Sequence, residues 1–377
     1  MIEILEKLIA IDTTTANDTL AAAEFVRDFL MERGVSSRLI YNAAKSRAGL
    51  IATIGDPDNS GIILSGHLDT VPADKNDWST DPWVLARKGG RLYGRGTTDM
   101  KGAIATALSL ASAMVESGKT FHIVLTHDEE CGSSGIDEIL DDEDAKKVLA
   151  RAVGCIVMEP TCGKIVIGQK TVAHGTIEVG GVAAHSANPL LGVNALWHAH
   201  KIYEIFYEVL RGFQNETDDM FTVPHAVCDI CQMTAGRAVN IIPDRAEMRY
   251  TARFLEQGAQ EEFFKSLDRA MKEYAKGVDG LDVRNIRGNA MPGFNTDAND
   301  AFVRRLLSFA PLADAPKVSY GTEAGCFAEL GIPTVVLGPG NIAQAHTKDE
   351  FIEIEELENF EILLRKLICR NGQKIEI

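Results

Sequence analysis

Five short apolar runs constrain this chain more than any other feature: GLIATIG (49–55), GIILSG (61–66), FHIVLT (121–126), CIVME (155–159) and PTVVLG (333–338). Each has the length and β-branched content of a buried strand. Helical periodicity separates several of them, notably over 101–117, 133–150 and 352–368. Such alternation predicts an α/β sheet with many parallel strands. A further helix is expected over 17–34, between a polar cap and a closing glycine.

Between about 170 and 288 the pattern changes to strand HGTIEVGG, helix 192–212, strands 226–234 and 245–253, helix 257–275 and strand 281–286. That β-α-β-β-α-β order suits an inserted ferredoxin-like α+β layer. With 377 residues, 45% of them apolar and 24% charged, the chain can support two globular domains. The expected boundaries are 1–172 and 289–377 for the α/β domain and 173–288 for the insert.

The totals also exclude whole classes of function. A formal charge of −16 repels a phosphate backbone, so nucleic acid is not an expected partner. The opening MIEILEKLIAID reads as an amphipathic helix and not a secretory signal, and the weakly polar stretch 103–115 is too short to span a bilayer. Seven scattered cysteines, an odd number, predict free thiols in a reducing cytoplasm. The lone pair Cys228-Asp-Ile-Cys231 is expected to be strand packing rather than a zinc ribbon.

The residues that carry chemistry sit at the ends of the apolar runs. His67 and Asp69 come after the second, Asp128, Glu129 and Glu130 after the third, Glu159 at the end of the fourth, and His346 shortly after the fifth. Parallel strands share one C-terminal edge, where ligands bind, so these residues are expected to converge. Asp99, in YGRGTTDMKGA ahead of a helix, joins them, with Gly94 and Gly96 allowing close backbone approach. Imidazoles and several carboxylates on one rim suit a divalent metal, zinc first, then cobalt or manganese. A central carboxylate could bridge two ions and support a two-metal hydrolase. Asp69, on the same side of an extended chain as His67, is expected to orient its imidazole. Spacing alone does not separate the roles of Asp128, Glu129 and Glu130.

The chain resembles the M20 family of metallopeptidases and deacylases. The resemblance rests on SGHLDTVP, DPW before GRLYGRGTTDMKGA, THDEECGSSG, MEPT, GGVAAHSANPLLGVNA, AVNIIP, GTEAG and GPGNIAQAHTKDEF, in family order over nearly the whole chain. It implies a mostly parallel-sheet zinc-hydrolase domain with an inserted lid that forms a homodimer. It implies Asp99 as bridging ligand, His67 and Glu159 on one Zn2+, Glu130 and His346 on the other, and Glu129 as general base. His185 matches a lid histidine that stabilises the oxyanion across the dimer, and Asn240 and Arg253 match lid residues that hold the substrate carboxylate. The resemblance also implies a cis peptide after Asp99.

The implied reaction is hydrolysis of an N-acyl amino acid, N2-acetyl-L-ornithine first among them, within arginine biosynthesis. N-acetylcitrulline, succinyl-diaminopimelate and dipeptides are the alternatives inside the family, and a metal-free binding paralogue is the alternative outside it. Many relatives carry Asp where Glu159 stands, a longer arm that would shift the metal pair. Glu323, in GTEAG, is expected to receive the substrate's distal amine.

Overall fold

The computed structural model describes residues 1–309 and 315–369, so the end of the expected α/β segment, 370–377, lies outside them. Two compact units divide the chain. The first comprises Met1–Gly168, Asn295–Pro316 and Thr322–Ile377, the second Gln169–Phe294 and Lys317–Gly321.

The first unit is built on a six-stranded sheet: β1 (Ser37–Tyr41), β2 (Ala48–Ile54), β3 (Gly61–His67), β4 (Thr120–Thr126), β5 (Gly154–Val157) and β6 (Thr334–Val336). Their spatial order is β1-β2-β4-β3-β5-β6. The last four run parallel, while β1 and β2 pair antiparallel at one edge. GLIATIG therefore ends on the opposite rim from the other four runs.

Every residue of β3 and β4 is buried, the expected state of parallel strands covered by helices. Helix Lys101–Ser109 packs on β3 and against helices Ile2–Ala10 and Ile354–Ile368. The core there joins Leu5, Leu8, Leu64, Ile104, Leu108, Leu357 and Leu364.

Two expected helices are each broken in two. The stretch 101–117 divides at Leu110, where the Ser109 hydroxyl donates to the Thr106 carbonyl and competes with the helical ladder. The stretch 133–150 divides at Asp142, whose carboxylate accepts from the amides of Asp144 and Ala145 and starts a new helix.

The second unit holds a four-stranded antiparallel sheet in the order Val227–Ala235, Arg245–Arg253, Val172–Gly180, Asp282–Met291. Alternate residues of Val172–Gly180 and Arg245–Arg253 are buried. Helices Ala195–Arg211 and Gln257–Lys276 pack on the sheet, over a core that includes Phe206, Tyr250, Phe254 and Phe263. Cys228 belongs to that core while Cys231 is exposed, so one member of the pair packs the strand and the other faces solvent. No helix among the described residues is long and apolar enough to cross a membrane.

Candidate metal centre

Register carries the first residues to one place. His67 closes β3 opposite Thr126 of β4, and Ser65 pairs with Val157 of β5. Two residues further on each chain, Glu159 reaches the level of His67, and Asp128 to Glu130 begin just past Thr126. His67 is thus the last residue of its strand rather than the first of a turn.

Asp99 arrives on the loop that begins after Gly94. Gly96 there has φ +86°, and a Cβ on it would lie 2.8 Å from a Thr70 methyl. Only glycine lets the loop pass so close. The Asp99–Met100 peptide is cis, as the resemblance implied. His346 has φ +59° and Asp128 φ +63°, conformations that side chains adopt only where the surroundings fix them.

Ligand atoms of His67, Asp99 and Glu130 lie within 4.8 Å of one another. His67 Nε2 is 3.0 Å from Asp99 Oδ1 and 3.5 Å from Glu159 Oε1. His346 Nε2 is 3.3 Å from Asp99 Oδ2 and 2.9 Å from Glu130 Oε2. Asp99 therefore stands between the two imidazoles. One side of the group is buried with His67, and the other opens to solvent at His346.

The donor chemistry fits divalent cations. His67 Nδ1 faces the main-chain carbonyl of Asp69 at 3.0 Å, so it carries the proton and donates. Its Nε2 then faces the carboxylates of Asp99 and Glu159, whose charges favour a positive partner there, a place that a divalent cation could take from the ring's second proton. Three carboxylates, Asp99, Glu130 and Glu159, meet two histidines, and no described lysine or arginine pairs with them.

The titration behaviour expresses the same imbalance. Burial raises the Glu159 carboxyl, and the Asp99 charge raises it further. Hydrogen bonds from His346 and His67 outweigh burial at Asp99 and hold it well below the usual range. His346, bonded to Asp99 and Glu130, is pushed up to about 10.

The three neighbouring acids sort by contact. Asp128 is engaged by Arg47 and by the Ser134 hydroxyl, away from the cluster. Glu130 meets His346. Glu129 makes no side-chain hydrogen bond or ion pair among the described residues, and burial raises its carboxyl, with Glu130 and Glu323 adding to the rise against a lowering by His67.

Asp69 stands beside His67. Its carboxylate lies 3.7 Å from His67 Nδ1 and instead accepts the amides of Glu129 (3.2 Å) and Glu130 (3.1 Å). The main-chain carbonyl of Asp69 takes the orienting contact, because it lies nearer to the ring nitrogen.

Glu323 is buried in the first unit, with one oxygen accepting from Thr126 at 2.9 Å and the other without a partner among the described residues. Burial pushes it up to about 8. The remaining expected residues belong to the second unit. His185 is exposed on a two-residue strand paired with Ile241–Ile242, and its Nδ1 accepts the Ala187 amide. Asn240 is exposed beside it, its carbonyl accepting the Ser186 amide. Arg253 is partly buried and donates to the Ser319 carbonyl at 2.7 Å.

One buried group near the cluster gave no signal in the sequence. Glu350 forms an ion pair with Arg95 at 2.7 Å, and both are buried. Nothing in HTKDEF marks this acid as interior, since the last residue of a charged run such as Lys348-Asp349-Glu350 is ordinarily solvated.

An α/β protein with imidazoles and carboxylates gathered at its parallel-strand edge belongs to the metal-dependent hydrolases. The model of peptidase family M20/M25/M40 matches residues 63–370, and the chain belongs to that family. It is 31% identical to an acetylornithine deacetylase of Myxococcus xanthus, over 97% of this chain and 96% of that one. Among solved structures, its fold is similar to an M20 family metallo-carboxypeptidase from Sulfolobus solfataricus (TM-score 0.79, 17% identity, covering 97% of this chain and 98% of that one). It is also similar to a Bacillus subtilis dinuclear metal binding peptidase of the M20 family (TM-score 0.66, 18% identity, 97% and 96% covered).

Proposed function

We propose that the chain hydrolyses the amide bond of N-acyl amino acids, with N2-acetyl-L-ornithine as the preferred substrate and ornithine and acetate as products. The observation that carries the reaction class is the cluster of His67, Asp99 and Glu130 within 4.8 Å, with the unpartnered Glu129 carboxylate beside it. The choice of substrate is supported by the name of the Myxococcus xanthus relative.

His67 and Glu159 would hold one divalent cation and Glu130 and His346 a second, with Asp99 shared and zinc the best match to the ligand set. Such a pair supplies Lewis acidity, acidifying water and polarising the acyl carbonyl. Glu129 takes the proton of the attacking water and returns it to the leaving amine. Its raised affinity for protons suits a base that must also act as an acid.

His185 steadies the oxyanion, and Asn240 and Arg253 receive the substrate carboxylate, the fork of Arg253 matching that group. Glu323 receives the distal ammonium of ornithine. A buried carboxyl with one free oxygen, raised to about 8, gains most from a cationic partner. The free thiols support a cytoplasmic setting, and the edge strand Val227–Ala235 offers a surface for pairing two copies.

The test is kcat/KM for N-acetylornithine, N-acetylcitrulline, N-succinyl-diaminopimelate and a small set of dipeptides, with and without added Zn2+. N-acetylornithine should lead and should depend on metal. In Glu323→Gln the preference over the uncharged N-acetylcitrulline should fall by roughly tenfold or more, as for a buried charged contact left unmade. Equal rates on all substrates, or a dipeptide in front, would overturn the substrate assignment while leaving the family in place.

A further inference from the structure

Among the described residues the Glu350 carboxylate makes four hydrogen bonds, all to one loop. Oε2 accepts from Arg95 Nη1 at 2.7 Å and from the Gly96 amide at 3.0 Å. Oε1 accepts from the amides of Thr98 at 2.8 Å and of Asp99 itself at 3.1 Å. The main chain adds two more ties, from the Gly94 amide to the Glu350 carbonyl (3.0 Å) and from the Thr98 hydroxyl to the Phe351 carbonyl (2.6 Å). The loop that delivers Asp99 is thus stitched to a segment that delivers His346 four residues earlier. Arg95 extends the link by donating to the carbonyl of Pro72 at 3.3 Å, three residues beyond Asp69.

Three segments bearing His67, Asp99 and His346 meet at this buried ion pair. Burying a carboxylate is costly, and apolar packing would tie two loops as well. What apolar packing cannot do is fix main-chain amides in direction, and one of those held here belongs to the residue between the two imidazoles.

We propose that Glu350 is a positioning residue of the metal centre. It sets the place of the Asp99 carboxylate relative to His346, and so the affinity of the centre for divalent cations. The inference rests on the reading of the cluster as a metal site.

The test compares wild type, Glu350→Gln and Glu350→Asp as full-length chains. Glutamine offers one acceptor oxygen and turns an NH2 group toward two donors, and aspartate keeps the charge on an arm one methylene shorter. The readouts are Zn2+ affinity by chelator competition, the visible spectrum of the Co2+-substituted protein, kcat and KM on N-acetylornithine, and thermal unfolding.

Zn2+ affinity should fall roughly 10- to 100-fold, as for other groups that orient a metal ligand. The Co2+ spectrum should change, and kcat should fall with KM nearly unchanged. A folded variant that binds Zn2+ as the wild type does, with an unaltered Co2+ spectrum, overturns the proposal whatever its melting temperature. If Glu350→Gln does not fold, Glu350→Asp decides on the same readouts. If neither folds, Glu350 serves the fold alone and the proposal fails. A wild-type protein that takes up no divalent metal instead overturns the reading of the cluster.

Discussion

The Asp69 carboxylate gives one oxygen to the Glu129 amide and the other to the Glu130 amide, so a single side chain fixes the main chain of two neighbouring acids. Asparagine has nearly the same shape but a single acceptor, and its NH2 group would face one of those amides donor to donor. In Asp69→Asn we expect kcat to fall roughly 10- to 100-fold, the range for groups that orient a metal ligand. The main-chain contact to His67 Nδ1 would persist. Steady-state kinetics and a melting curve check this, and activity within about twofold of wild type would refute the role. At this scale the sequence was only partly legible. It placed three acids at the end of β4 but could not order them, because the order depends on the left-handed turn at Asp128 and on Arg47, distant in sequence.

At the scale of the strand, reading which runs end at a shared edge was sound for β3 to β6, since apolar runs between helices report parallel strands directly. The breaks at Leu110 and Asp142 were not legible, because each depends on a local side-chain bond to the main chain rather than on periodicity. Strand β4 also carries a buried base. His122 is paired in register with Thr53 of β2, its Nδ1 is 3.1 Å from the Thr53 hydroxyl, and its Nε2 has no partner among the described residues. Burial lowers it from 6.5 to about 4. The unfolded chain therefore takes up a proton near pH 6.5 that the native state refuses until about pH 4. This contribution to stability is complete above pH 6.5 and is lost as the pH falls toward 4. At pH 5 the loss is about 2 kcal/mol. Urea unfolding at pH 8 and pH 5 should show a smaller pH dependence in His122→Gln than in wild type. Identical dependence would show that the imidazole is already charged in the fold.

The molecule as a whole carries a formal charge of −16, and its first unit concentrates Asp69, Asp99, Glu129, Glu130, Glu159 and Glu323 around two histidines. Such a cluster costs folding free energy when bare, so a cation that binds only the native form stabilises that unit by mass action. At a free concentration one hundred times Kd, the gain is about 2.7 kcal/mol for one site. The three tryptophans permit a clean measurement, because Trp78 and Trp83 lie in the first unit and Trp197 in the second. Trp197 is 53% exposed, so Trp197→Phe should leave folding intact and let fluorescence follow the first unit alone. In that background, chelator should lower the unfolding midpoint, added Zn2+ should restore it, and the shift should grow with the logarithm of free Zn2+. The same titration in Asp99→Ala, which removes the carboxylate between His67 and His346, should show little or no shift. A midpoint that ignores chelator in the parent, or an equal shift in Asp99→Ala, would place any bound metal somewhere other than this rim.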